Sequence, residues 1–301
     1  MVSSVTFPDP TEPTTEPDPA LAEKSSLIEI QNGAYIYDTV GTLTATEYSE
    51  CNDYADYLYK NYLLNTAVVI ADDLKGFTPE EYSALIYNDL FDDVGSGMVF
   101  LINNGDNTDI LYKTGQCQRF IDETSENDEL YKATTHLVVD EYKDAIMIML
   151  KLAEKCPKNI IDNANIFSED TAKSFSHSLE SCPDSLTIIA TRNNSGVSNE
   201  DTAKSYFERR YSDEDGYIIL FDKKTRTVTA YNGEEIPPEK QEVISAAASI
   251  AANDDYIGAL NKIIAGFGGS PVTISDSDDD YSYYDYSDND YTDYDFGDYD
   301  E

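Results

Sequence analysis

The segment YIYDTVGTLTATE (35–47) recurs later in the chain as NIIDNANIFSEDT (159–171). In each copy a short apolar stretch ends in an aspartate, Asp38 or Asp162, and a turn follows. Both apolar stretches have the length and composition of a short buried strand. The pair therefore predicts one structural unit that occurs twice in the chain.

A helix is predicted after each of these turns. Thr44 and Ser168 stand where an N-cap residue belongs, and Glu47 completes a capping box in the first copy. Apolar side chains then follow at helical spacing in both copies. They are Tyr48, Cys51, Ala55, Leu58 and Tyr62 in the first copy and Ala172, Phe175 and Leu179 in the second.

Further segments recur in the same order, as a strand, a second helix, a hairpin of two strands and a closing helix. The matched pairs are TAVVIADD (66–73) with SLTIIATR (185–192), GFTPEEYSALIYNDLF (76–91) with GVSNEDTAKSYFERRY (196–211), GSGMVFLINNGDNTDILYKTG (95–115) with DEDGYIILFDKKTRTVTAYNG (213–233), and DEYKDAIMIMLKL (140–152) with DDYIGALNKIIAGF (254–267). This order predicts two βαβαββα units, which we place at residues 27–155 and 156–270.

The composition of the chain excludes several classes of function. A net charge of −39 argues against binding of nucleic acid or anionic lipid, because both need Lys and Arg. With only two histidines, His136 and His177, catalysis by a histidine triad or a His-rich metal centre is not expected. We expect both histidines to be ordinary helix residues, and no apolar run has the length of a membrane span.

The two ends of the chain differ in composition from the repeated units. Residues 1–26 form a Pro/Thr/Glu-rich linker that lacks the basic start and apolar run of a signal peptide. The acidic tail, predicted at 271–301, carries eleven aspartates and seven tyrosines after residue 274. It is either a disordered solubilising segment or a segment that binds another protein through its tyrosines and aspartates.

The ordered set of motifs resembles the TPM domain family, which includes the thylakoid acid phosphatase and bacterial surface proteins. Its features here are Asp38 with Gly41 and Leu43, the strand pair, Gly115, and Tyr142 before the closing helix. The resemblance covers both units. It implies an α/β fold, namely two tandem α/β/α three-layer sandwich domains, each around a small mixed sheet. It also implies calcium binding in some members, phosphatase activity in a few, and a bacterial cell-surface or extracellular location. We expect the chain to be the mature form of an exported protein, without a signal or anchor.

A cation site is predicted at one edge of the first sheet. Asp38 ends the first predicted strand, and Asp72 and Asp73 end the second, while Asp92 and Asp93 lie before the third. Ligands gather beyond the carboxyl ends of strands in an α/β sheet, and carboxylates suit Ca²⁺. The predicted ligands are Asp38, Asp72, Asp73 and Asp93. The alternative is ordinary surface charge, with Asp38 closing a turn or capping a helix.

The second copy has a weaker version of this pattern. It keeps Asp162 but has Thr191 and Arg192 where the first copy has its aspartate pair. Asp213, Glu214 and Asp215 precede its third strand, yet a cation beside Arg192 would be repelled. We therefore expect cation binding in the first copy above all.

Two functions remain open. The first is a non-catalytic surface module that binds a divalent cation and, through its tail, another protein. The alternative is a metal-assisted phosphatase in the first copy, in which Lys113, Arg119 and Asp122 lie near Gly115. Family members often carry a Gly-rich, Glu-containing segment after that glycine, whereas this chain has Gln116–Arg119, which argues against the activity. The alternative for Arg119 is an exposed helix residue that pairs with a neighbouring acid.

The four cysteines permit two disulfides in an exported protein. Pairing within each unit would join Cys51 to Cys117 and Cys156 to Cys182. The alternative for Cys51 is a small buried side chain on the apolar face of a helix. No CxxC motif occurs, so a zinc or thioredoxin-like site is not expected.

Overall fold

The computed structural model describes residues 27–91, 95–192, 196–212 and 214–273. It contains two four-stranded mixed sheets flanked by helices, one from each repeated unit. The predicted fold class, two tandem α/β domains, is therefore confirmed. The linker at 1–26 and the acidic tail after residue 273 lie outside the described residues.

Both domains follow the same order of elements, and the first has one extra helix after its fourth strand and a 3₁₀ turn after its closing helix. The first domain consists of β1 (Ile36–Asp38), α1 (Ala45–Asn61), β2 (Asn65–Ala71), α2 (Pro79–Phe91), β3 (Gly97–Asn103), β4 (Ile110–Thr114), α3 (Gln116–Phe120), α4 (Glu123–Leu137), α5 (Tyr142–Lys151) and a 3₁₀ turn (Leu152–Lys155). The second consists of β5 (Ile160–Asp162), α6 (Glu169–Glu180), β6 (Leu186–Thr191), α7 (Asn199–Arg210), β7 (Tyr217–Asp222), β8 (Thr227–Tyr231), α8 (Pro238–Ala251) and α9 (Tyr256–Gly266).

The first three strands of each sheet are parallel and the fourth is antiparallel to the third. In the first sheet Asp38 is the register partner of Ile70, so the carboxyl ends of β1 and β2 lie at the same edge. In the second sheet Asp162 pairs in the same way with Ala190. The two aspartates thus occupy equivalent positions in the two domains.

Each sheet lies between two layers of helices, as the resemblance implied. Along β2, Val68 and Ile70 pack into the core that contains α1 and α5, whereas Ala67 and Val69 pack against α2 on the other face. This alternation is the period of a strand buried on both faces. The second sheet repeats it, with α6, α8 and α9 on one face and α7 on the other.

The predicted helix starts are confirmed. Thr44 accepts a hydrogen bond from the backbone N–H of Glu47, whose side chain binds back to the N–H of Thr44. Ser168 caps α6 by accepting from the N–H of Thr171. Cys51 is fully buried on the apolar face of α1. None of the helices in the described residues is long and apolar enough to cross a membrane.

The two domains share one continuous apolar core. It runs from α5 through Leu152 and Ala153 into β5 and the helices beyond it. Leu63, from the first domain, is buried in the cluster that lies between β6, β7 and α7 of the second. Because burial of this kind opposes separation, the two domains pack as one body.

The cysteines are not placed as the predicted pairing requires. All four are free thiols, and the Sγ atom of Cys117 lies 3.8 Å from that of Cys156 rather than next to Cys51. The Sγ of Cys182 contacts the carbonyl oxygen of Ser178. The physical reason is that α3, which carries Cys117, packs in the same core cluster as the segment between the first domain and β5, which carries Cys156.

Candidate functional site

Asp38 organises the turn that follows β1. Its Oδ1 atom accepts hydrogen bonds from the N–H groups of Val40 and Gly41, and its Oδ2 atom accepts from the N–H of Leu43 at 2.8 Å. The hydroxyl of Thr42 also donates to Oδ2, at 3.3 Å. Gly41 has a φ of +82°, a conformation that favours glycine. The carboxylate therefore holds the turn closed, which is one of the two roles predicted for it.

The aspartate pair after β2 lies at the same edge of the sheet. Asp72 follows the last residue of β2 and is exposed. Asp73 is also exposed, and its carboxylate pairs with Lys75 through both the side-chain ammonium and the backbone N–H. These hydrogen bonds lower the pKa of Asp73. Asp92 and Asp93 lie outside the described residues.

The hairpin between β3 and β4 adds oxygen atoms to this edge that sequence reasoning missed. The N–H of Asn104 donates to the carbonyl oxygen of Ala71, which brings the hairpin beside Asp72. Gly105 approaches so closely that a Cβ atom there would lie 2.4 Å from the carbonyl oxygen of Asp72. The sequence predicted a hairpin here, but the contact of Gly105 with the end of a neighbouring strand could not be predicted from the sequence.

Two carboxylates of the hairpin are held by local hydrogen bonds. Asp106 accepts from the side chain of Asn103 at 2.6 Å and from the N–H of Thr108 at 3.1 Å. Asp109 accepts from the N–H of Asn103 at 3.1 Å and is half-buried. Burial raises the pKa of Asp109, and the nearby charge of Asp106 adds to the increase.

The raised pKa of Asp109 gives a prediction for stability against pH. A carboxyl group whose pKa is higher in the folded protein destabilises the fold above that pKa, where it is ionised, and this penalty disappears once pH falls below the unfolded pKa. We expect Asp109→Asn to increase the free energy of unfolding at pH 7 by up to about 1 kcal/mol. The gain should shrink to nothing as pH falls toward 3.

Urea denaturation at several pH values measures this gain, and Asp122→Asn is a control of opposite sign. Asp122 caps α4 and accepts hydrogen bonds from the side chain and the N–H of Ser125, which lower its pKa. Removing its charge should therefore destabilise the fold at pH 7. A destabilising Asp109→Asn at pH 7 would contradict the prediction.

The equivalent aspartate of the second domain binds an arginine of the first. Asp162 is buried, and its carboxylate accepts hydrogen bonds from the N–H groups of Ile166 and Phe167. The guanidinium of Arg119 lies 3.2 Å from Oδ2 of Asp162. Arg119 also donates to the carbonyl oxygens of Asp162 and Phe167 and to the side chain of Asn165.

This contact bears on two expectations. Arg119 was expected to be an exposed helix residue that pairs with a neighbouring acid. It does pair with an acid, but it is mostly buried and reaches from α3 to Asp162 in the turn of the other domain. The second copy was expected to be weak because of Arg192, which is exposed and has no ion pair in the described part of the chain. The carboxylate of Asp162 is bound by the guanidinium of Arg119.

The other groups considered for phosphoryl transfer are also engaged in structure. Lys113 pairs with Glu126 and donates to the carbonyl oxygen of Ile121 at 2.7 Å. Asp122 is an N-cap. Phosphoryl transfer needs positive groups directed at the leaving oxygens, and the residues near Gly115 do not present them.

Other polar contacts cross between the domains. Gln116 donates to the carbonyl oxygen of Ile160, and the hydroxyl of Ser96 donates to Asn163. In the reverse direction Arg209, at the end of α7, donates to the carbonyl oxygen of Tyr59 at 2.7 Å. Its guanidinium lies 3.5 Å from the ring centroid of Tyr59, and burial lowers its pKa.

A cavity of about 580 Å³ lies beside Arg209, between α2 and α7. Its walls include the side chains of Tyr59, Phe91 and Tyr206. The Nη2 atom of Arg209 is buried and has no hydrogen-bond partner among the described residues. Its Nη1 atom donates to the side chain of Asn65 at 3.0 Å, so the guanidinium joins the two domains beside the cavity.

One group of side chains with metal-ligand spacing was missed by sequence reasoning. His136, near the end of α4, lies with its Nδ1 atom 2.7 Å from a carboxylate oxygen of Glu141. Asp144 completes the group, and one ligand atom from each residue lies within 4.8 Å of the others. Both carboxylates are exposed, and His136 and Glu141 already contact each other directly through an ion pair or a hydrogen bond. His177 is exposed on α6, as expected of an ordinary helix residue.

Comparison with known proteins gives little beyond this geometry. No family model matches the chain, and no curated protein matches it. Among solved structures, the N-terminal domain of a Porphyromonas gingivalis protein, determined by NMR, is 9% identical with a TM-score of 0.37 over 41% of this chain and 82% of that one. The N-terminal domain of the cg2496 protein from Corynebacterium glutamicum is 12% identical with a TM-score of 0.34, over 43% of this chain and 82% of that one.

Proposed function

We propose that the chain is a non-catalytic module of two TPM-like domains, located at a bacterial cell surface, that binds a divalent cation such as Ca²⁺ in its first domain. The proposed ligands are Asp38, the aspartates Asp72 and Asp73 at the same edge, and Asp93, which lies outside the described residues. The tail is proposed to contact a protein partner.

The observation that supports cation binding is the comparison of the two aspartate turns. Asp38 binds the N–H of the residue five positions later, Leu43, and Asp162 binds the N–H of Phe167 at the same offset. In the second domain this turn also binds a cationic group, the guanidinium of Arg119. A carboxylate that accepts backbone hydrogen bonds in such a turn therefore retains the capacity to bind a cation.

The turn of the first domain has no cation of its own within the described residues, where no basic side chain pairs with Asp38. Asp72 lies two residues beyond Ile70, the register partner of Asp38, so its carboxylate is available at the same edge. Carboxylate and carbonyl oxygens are the ligands that Ca²⁺ takes in proteins. The proposed site lies at the carboxyl ends of β1 and β2. Asn65, Ser96 and Gln116, which contact the second domain, lie at the other end of the sheet.

The phosphatase alternative has less support. Arg119, the cationic group nearest to a candidate reaction site, is used to bind Asp162. Lys113 is neutralised by Glu126. Without either group, no positive charge from this region would stabilise a transferring phosphoryl group.

Calorimetric titration of Ca²⁺ into the full chain tests the proposal. We expect one stoichiometric site, superimposed on weak heat from the acidic tail. Asp38→Asn removes the charge but keeps only one acceptor oxygen, so the turn also loses the hydrogen bonds to the other oxygen. Asp72→Asn removes a charge without touching the turn and is the cleaner variant. Each should weaken the stoichiometric site at least about tenfold, because a charged ligand is lost.

Glu141→Gln/Asp144→Asn is the matched control, since it removes two carboxylates from the other cluster of the same domain. It should leave the affinity unchanged. If the aspartate variants bind Ca²⁺ as the unmodified chain does, or if only weak multi-site heat is seen, the proposed site does not exist. Binding that is lost only in the control variant would place the cation at His136 instead.

A further inference from the structure

Two buried thiols meet where the first domain joins the second. Cys117 lies in the first turn of α3, and Cys156 follows the 3₁₀ turn that ends the first domain. Their Sγ atoms are 3.8 Å apart, and Cys156 donates a hydrogen bond to Cys117. Both side chains are almost completely buried. Cys51 is buried in α1 and Cys182 contacts a carbonyl oxygen, so neither forms such a pair.

The position of this thiol pair is mechanically important. The α3 helix carries Gln116 and Arg119, whose side chains hold β5 and the Asp162 turn. Cys156 begins the short segment that leads into β5. A bond between the two sulfurs would therefore link α3, which contacts the second domain, to the segment that connects the two domains.

We propose that Cys117 and Cys156 form a disulfide bond when the chain folds in the presence of a disulfide oxidant. The sulfurs must approach from 3.8 Å to about 2.05 Å. Two S–H bonds break and one S–S bond forms. The two protons and two electrons pass to the oxidant, for example oxidised glutathione, whose own disulfide becomes two thiols.

Burial in the folded protein protects the thiols of Cys117 and Cys156 from oxidation. Hydrogen bonding with Cys156, together with burial, raises the pKa of Cys117 well above that of an exposed thiol. Because the thiolate is the attacking species, oxidation should be slow in the folded protein and fast during folding, while the thiols are accessible. The bond is thus expected from folding in an oxidising environment, and the inference stands independently of cation binding.

Refolding of the full chain tests the proposal. The chain is refolded in a glutathione redox buffer and, in parallel, under a phosphine reductant; free thiols are then counted in denaturant and the peptides are mapped by mass spectrometry. We expect two of the four thiols to disappear and the peptide containing Cys117 to be linked to that containing Cys156. The bond closes a loop of 39 residues, which should raise the melting temperature by about 5–10 °C.

Two variants frame the result. Cys51→Ala/Cys182→Ala should form the same bond, whereas Cys117→Ser should keep every remaining thiol free after the same treatment. If the serine variant does not fold, peptide mapping of the unmodified chain still decides the question. Four free thiols after refolding in glutathione, or a bond that uses Cys51 or Cys182, would overturn the proposal.

Discussion

Replacing Arg119 with alanine is expected to lower the free energy of unfolding by about 3 kcal/mol. The loss comes from Asp162, whose side chain has no solvent exposure and would remain buried as an unpaired carboxylate. The carbonyl oxygen of Phe167 would also lose its partner, at 2.7 Å in the intact protein. The two backbone N–H groups that bind Asp162 keep the cost near the lower end of the range for broken buried ion pairs.

Urea denaturation of the full chain measures this cost. Arg192→Ala is the matched control, because Arg192 belongs to the same domain as Asp162 but is exposed, and it should change stability by less than about 0.5 kcal/mol. Arg119→Lys should fall between the two, since a lysine restores the charge but not the forked set of hydrogen bonds. A loss below about 1 kcal/mol for the alanine variant would show that the cross-domain ion pair does not stabilise the fold.

Replacing Gly97 with alanine should also destabilise the protein by about 3 kcal/mol. Gly97 begins β3 opposite Asn65, its register partner in β2. A Cβ atom at this position would lie 1.9 Å from the carbonyl oxygen of Asn65. Because the obstacle is backbone in the central pair of strands, the sheet must shift to accept the methyl group.

Gly258→Ala is the control for this substitution. Neither glycine has a left-handed backbone conformation, so alanine is tolerated by the backbone at both positions. At Gly258, however, the new methyl group would meet the side chain of Asp255, which can rotate away at the cost of a helix cap, about 1 kcal/mol. Equal losses in thermal or urea denaturation for the two variants would contradict the role of the Asn65 backbone.

The fold could be predicted from the sequence because its signals are local and occur twice. The capping box at Thr44 and the apolar spacing around Cys51 depend only on neighbouring residues, and the structure confirms both. The same pattern at Ser168 strengthened the prediction, since two independent copies agree. The layers followed from the resemblance and from strands that are buried on both faces, such as β2.

The candidate site was only partly predictable, because its decisive contacts join distant parts of the chain. The sequence predicts that Asp38 and Asp162 lie at strand ends. It does not predict that Arg119 contacts Asp162, which is 43 positions later in the chain. The hairpin that contains Asn104 and Gly105 was predicted, while the contact of these two residues with the end of β2 depends on strand order. The contact between the sulfurs of Cys117 and Cys156 was also not predicted, because it joins residues 39 positions apart. The prediction assumed that each disulfide forms within one domain.

The exchange of side chains between the domains also constrains how the repeat can diverge. Arg119 of one domain neutralises Asp162 of the other, and Arg209 returns the contact by binding the backbone of Tyr59. A substitution at any of these positions removes a contact of the opposite repeat. Substitutions that restore such a contact should therefore occur in pairs, with one member in each repeat. Because of these contacts, loss of either repeat would destabilise the other, and selection therefore acts on the two repeats together.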